Sequence, residues 1–137
     1  MNNNTLYHST AIILTSLYNN KFTAESLLKD MRFSNIPTVN LGRGCGHTTA
    51  IQLFIQDKPD ITFAIYANTK KLFHDCYGQF KNCVYMDNRA SYAGKRIDYI
   101  ILENTSHMDI HKIHDIQDML TDIIPRLTKN TPIIKIS

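Results

Sequence analysis

The stretch Gly42-Arg43-Gly44-Cys45-Gly46-His47-Thr48-Thr49 joins three glycines to two hydroxyls just ahead of an apolar run. Glycines at alternate positions let a backbone turn tightly, and the first turn of a following helix adds unpaired N–H groups and the positive end of its dipole. Such a segment can capture an anion, phosphate above all. Thr48 stands where a phosphate loop places its magnesium-binding hydroxyl, but His47 occupies the place of the lysine that reaches the β- and γ-phosphates. Imidazole is shorter than a lysine stem and, at an ordinary pKa of about 6.5, mostly neutral at pH 7. Support for a transferring phosphoryl group is therefore expected to be weak, with Arg43 a partial substitute for the missing cation.

Other residues offer less. His107, His111 and His114, with Asp115, would bring imidazoles to one face of a helix at a spacing zinc can use. The isoleucines between them are placed to take the buried stripe, which leaves the histidines on the solvated side, and no zinc is expected. Cys45 near a helix start and His47 suggest a thiol nucleophile, yet residues two apart around a turn need not face each other, and no third orienting group can be named. Lys70, Lys71, Lys81, Arg89, Lys95 and Arg96 are interleaved with Tyr77, Phe80, Tyr85 and Tyr92. That pattern suits a nucleic acid, with cations on phosphates and rings on bases; the competing assignment is a solvated surface over core aromatics.

The loop needs a strand before it and a helix after it, and the chain predicts both. "TVNL" (38 to 41) reads as a short strand and "HTTAIQLFIQD" (47 to 57) as a helix. Strands follow at "ITFAIYA" (61 to 67), "NCVYM" (82 to 86), "DYIILE" (98 to 103) and "PIIKIS" (132 to 137), with a helix at 69 to 78 that Gly78 stops. The clearest helical period is Ile113, Ile116, Met119, Leu120, Ile123 and Ile124, ended or kinked by Pro125. Two helices come first: a stripe from Leu6 to Leu17, then a segment through "AESLLKDMRF" that Thr23 caps. Alternating strands and helices predict an α/β three-layer sandwich with a mainly parallel sheet of about five strands. The expected organisation is one domain over 1–137, with an N-terminal helical segment at 1–35 appended to an α/β core at 36–137.

Length and composition agree with one globular domain: 137 residues, 43% hydrophobic. The formal charge of +3 comes from 15 cationic residues largely offset by 12 acidic ones, which permits a nucleic-acid or nucleotide partner without requiring one. Three cysteines with no CxxC pair argue against a disulfide framework or a thiolate metal site and fit a reducing cytoplasm. The first twenty residues lack a basic n-region, and their longest unbroken apolar run is the four residues from Ala11 to Leu14, so neither a signal peptide nor a membrane span is expected.

These residues in this order resemble the P-loop NTPases, in particular the ATPase domain of phage terminase large subunits and related superfamily-two helicases. Their phosphate loop commonly reads R-x-x-G-K-T-T, which Arg43 to Thr49 matches except at His47; the leading glycine of the eight-residue motif falls on Leu41. "IYANTKKLF" (65 to 73) is similar to the family's small-residue and threonine motif at the end of its second strand. "DYIILEN" is similar to its acidic motif, with Glu103 on the metal-linked aspartate and Asn104 on the catalytic glutamate, and "TPIIKIS" resembles the strand that carries its coupling motif. The likeness runs from about residue 36 to the terminus.

What the resemblance implies is a phosphate or nucleotide site at Gly42, Arg43, Gly44, Cys45, Gly46, His47, Thr48 and Thr49, ATP or another nucleotide as ligand, and magnesium near Thr48 and Glu103. It also implies a degenerate Walker A motif and a pseudoenzyme. Asparagine cannot take a proton from an attacking water and histidine stands in poorly for lysine, so hydrolysis is expected to be weak or absent. The expected role is a phage-type regulatory protein associated with nucleotide or nucleic acid, in the host cytoplasm if phage-encoded. The alternative is a non-enzymatic module that uses the fold to dock on a host or viral enzyme.

Overall fold

A computed structural model describes residues 3–41, 46–86, 96–103, 110–127 and 129–137. Gly42 to Cys45 of the glycine loop, Arg89, Tyr92, Lys95, Asn104 and His107 lie outside the described residues.

The described elements run α1 (Asn3–Asn19), α2 (Ala24–Lys29), a 3-10 turn (Phe33–Asn35), β1 (Thr38–Val39), α3 (His47–Asp57), β2 (Phe63–Tyr66), α4 (Lys70–Tyr77) and β3 (Cys83–Tyr85). They continue with β4 (Tyr99–Glu103), α5 (Ile110–Ile123), a second 3-10 turn (Ile124–Arg126) and β5 (Ile133–Ile136). The five strands form one sheet in the order β1-β5-β4-β2-β3, and every pair is parallel. The mainly parallel α/β expectation therefore holds for all four strand pairs.

Chain direction decides which helix covers which face. The crossovers from β1 to β2 and from β2 to β3 run one way across the sheet and that from β4 to β5 runs back, so right-handed connections place α3 and α4 on one face and α5 on the other. Strand side chains follow by alternation. Phe63, Ile65, Tyr85, Tyr99, Ile101, Ile134 and Ile136 pack with Ala50, Ile51, Phe54 and Ile55 of α3 and with Phe73 and Tyr77 of α4. Ala64, Tyr66, Val84, Ile100, Leu102 and Ile133 pack with Ile116, Leu120 and Ile123 of α5. All five residues of β4 are buried, as a central strand covered on both sides requires.

Helices α1 and α2 pack into the two layers of this sandwich. Ile13 and Leu17, one helical turn apart on α1, are buried in the α3 layer, while Ala24 and Leu27 of α2 are buried in the opposite layer. Asn20 between them donates to the carbonyl of Ile133 at 3.0 Å, and Ala24 N–H donates to Thr131 O at 2.8 Å. The N-terminal segment thus contributes one helix to each face.

Several boundaries are tighter than the sequence predicts. β1 pairs only through Thr38 and Val39, and α2 stops at Lys29, with Phe33–Asn35 forming a separate 3-10 turn. Helix α3 spans the predicted 47 to 57, and Pro125 falls in the 3-10 turn that ends α5. No described helix is long and apolar enough to cross a membrane.

Candidate functional site

The carboxyl ends of a parallel sheet are where open α/β folds bind ligands. Register places three strand ends level there: Val39 pairs with Ile136, and Ile136 pairs with Glu103. Odd-numbered β4 residues face α3 and α4, so Glu103 turns toward the start of α3. Gly46 caps that helix with φ 76° and ψ 25°, a left-handed conformation that favours glycine.

Three side chains converge on Glu103, itself only 4% exposed. Thr48 Oγ1 donates to Glu103 Oε1 at 2.9 Å, and His47 Nε2 lies 3.2 Å from the same oxygen. Tyr77, from the last turn of α4, donates its hydroxyl to Oε2 at 2.6 Å. Burial, and then the negative charge of Glu103, push the Tyr77 phenol far above its ordinary pKa. It therefore stays a neutral donor across the working range of pH. Each carboxylate oxygen is held, which answers the cost of placing a charge almost out of reach of water.

The structure thus joins His47, Thr48 and Glu103, three residues singled out from sequence, across a separation of 55 positions. Thr49, next on α3, is exposed. Asp98, which opens the acidic stretch, sits at the other end of β4, where its carboxylate accepts from Thr62 N–H at 3.0 Å and pairs with Arg96 at 2.6 Å. Its role there is to tie β4 to the start of β2.

The sequence does not single out Tyr77 as a site residue; it stands among the aromatics open to either a nucleic-acid surface or a core assignment, and it is core. Its sequence signal was weak, a four-residue step from Phe73 that says only that both face inward. Tyr85 also follows the core assignment: it is buried, stacked on Phe73 with ring centres 5.1 Å apart, and its hydroxyl donates to Ala67 O at 3.4 Å. Phe80 is half-buried against the same core. Lys70, Lys71 and Lys81 are exposed, but these described aromatics point inward because they fill the α4 layer, so they offer no stacking platform beside the cations.

Elsewhere, His111 and His114 are exposed on α5, and no group of three or more His, Cys, Asp or Glu side chains suited to a metal occurs among the described residues. Cys76 and Cys83 carry free thiols; burial pushes Cys83 up to about 12 and raises Cys76, which also feels Glu103, so neither is an activated thiolate. A depression of about 440 Å³, lined in part by Phe80, Lys81 and Asn82, lies at the amino end of β3, the opposite end of the sheet from Glu103.

Comparison with protein-family models, curated proteins and solved structures finds no match to this chain.

Proposed function

We propose that the chain is a phosphate-recognising α/β domain that binds a nucleotide, with a divalent cation, at the carboxyl ends of β1 and β4 and hydrolyses it weakly or not at all. The observation that carries this reading is the meeting of Thr48 and Glu103 at 2.9 Å beside the capped start of α3. A hydroxyl on the first turn of a helix and a carboxylate at the end of a neighbouring strand are the two protein groups that a nucleotide-bound magnesium requires. The sheet supports it as well, since the carboxyl ends of its parallel strands, where open α/β folds bind ligands, include those of β1 and β4. His47 argues for weak chemistry: its imidazole lies against Glu103, on the cation side of the site.

A second reading draws on the same contacts. Donors from Thr48 and Tyr77 already satisfy Glu103, with His47 packed 3.2 Å from Oε1, and a network closed in this way can serve as a rigid scaffold for a protein-docking module without any ligand.

Calorimetric titration with ATP and ADP, each with and without Mg2+ or Mn2+, separates the two. Saturable, cation-dependent heat supports the nucleotide reading; no heat at about millimolar nucleotide, a free energy near 4 kcal/mol, removes it. Where binding occurs, His47→Lys combined with Asn104→Glu should tighten it or produce turnover.

A further inference from the structure

We propose that Glu103, His47 and Thr48 form a binding site for a first-row transition-metal dication, Mn2+ or Co2+ in preference to Mg2+. This rests on the reading of Thr48 and Glu103 as the cation corner of the phosphate site, and it changes which cation that corner takes.

The donor set is the first reason. Magnesium prefers hard oxygen ligands and keeps its waters, whereas first-row transition-metal dications accept an imidazole nitrogen beside oxygen donors, Co2+ more readily than Mn2+. His47 brings such a nitrogen to 3.2 Å from the oxygen that Thr48 also touches at 2.9 Å. The spacing is the second reason. Bonds of about 2.1 Å at right angles put neighbouring donor atoms about 3 Å apart, so one metal can replace the proton-mediated contacts with little movement of the side chains.

The third reason is how firmly the carboxylate is fixed. Tyr77 holds Oε2 at 2.6 Å and leaves Oε1 as the oxygen that faces both other donors. Hydrogen bonds of this kind orient ligating carboxylates and commonly change metal affinity by 10- to 100-fold. Three protein donors leave about three positions of an octahedron for water or phosphate oxygens. The expectation of no zinc concerns His107, His111 and His114 and the thiols, a different set of residues from this one.

The test uses the full chain with the metals alone. Calorimetry should show one Co2+ or Mn2+ bound per chain at least about 10-fold more tightly than Mg2+, and pulsed electron spin resonance of the Mn2+ form should show modulation from a coordinated nitrogen. His47→Gln should remove the nitrogen signal and weaken Co2+ by about 10-fold or more while leaving Mg2+ nearly unchanged. A variant with His8, His74, His107, His111 and His114 all changed to glutamine keeps His47 as the only imidazole and should retain the signal, which decides the matter even if His47→Gln does not fold. Loss of the signal in that variant, Co2+ affinity unaffected by His47→Gln, or equal binding of Mg2+ and Co2+ would each overturn the proposal. Metal binding that survives while ATP and ADP show no heat would remove the nucleotide reading alone; nucleotide binding with no preference for Co2+ or Mn2+ would remove this inference alone.

Discussion

Tyr77 and Glu103 meet at 2.6 Å across the interface between α4 and the sheet, a neutral phenol donating to a carboxylate that is 4% exposed. Removing the hydroxyl leaves Oε2 without that donor in a place water scarcely reaches. Tyr77→Phe is therefore expected to cost about 1.5–3 kcal/mol, the range for a hydrogen bond to a charged group. Urea unfolding should show a lower midpoint with an unchanged slope. A midpoint equal to that of the wild type would mean that the phenol contributes no net stabilisation.

Thr48 and Glu103 allow a pairwise test. Thr48→Val deletes the donor and keeps the shape, and Glu103→Leu deletes the acceptor and the charge. Side chains sharing one hydrogen-bond network couple by about 0.5–3 kcal/mol in double-mutant cycles. Denaturant unfolding of the two single variants and the double variant should give a coupling in that range. Additivity would show that the 2.9 Å contact holds nothing together.

How much of this could be read from the chain follows from where each signal lives. Local rhythm is legible: the apolar steps in 47 to 57 give α3 its limits, and the isoleucine period gives α5 its buried face. The resemblance pairs Glu103 with Thr48 through its ordered set of motifs, since spacing alone cannot bring residues 55 apart together. Tyr77 had no such signal, since which inward residue of α4 meets Glu103 depends on how that helix crosses the sheet. The same holds for Asn82, whose amide donates to Lys58 O at 3.1 Å and Ile61 O at 3.0 Å and braces the turn between α3 and β2. The N-terminal helices read as an appended segment of the one domain because they precede the strand-helix alternation. Only the packed structure shows Ile13 and Leu17 completing the α3 layer.

Alkaline stability provides a third test through Tyr99. Burial raises this phenol to about 12, with a smaller lowering effect from Asn20, and its hydroxyl donates to Leu17 O at 2.8 Å. The folded pKa lies above the unfolded value of about 10, so the folded state holds the proton more tightly. The stabilisation is fully present below about pH 10 and is lost as pH rises toward 12. Cys83, raised to about 12 by burial, adds a fall of the same sign that begins nearer pH 9. Unfolding free energies measured at intervals from pH 8 to about pH 11 should decline, and Tyr99→Phe should flatten the part of the decline above about pH 10. An identical slope in the variant would show that Tyr99 titrates alike in both states.

Lys135 carries the opposite sign. It is 7% exposed on the α2 face of β5, its Nζ donates to Phe33 O at 3.0 Å and lies 4.5 Å from the centre of the Phe33 ring, and burial lowers its pKa. A lowered folded pKa means that the unfolded chain binds the proton more readily, so this group costs stability while charged and the cost fades as pH rises through the folded pKa toward the unfolded value near 10.5. Lys135→Met keeps the unbranched stem and removes the charge. Replacing a poorly compensated buried charge by an apolar side chain of similar length is often neutral or stabilising by about 1–4 kcal/mol. The variant should accordingly match or exceed the wild type in unfolding free energy at pH 7, with the difference narrowing as pH approaches 10.5. A clear loss of stability at pH 7 would show instead that the carbonyl contact and the Phe33 ring outweigh the cost of burying the ammonium group.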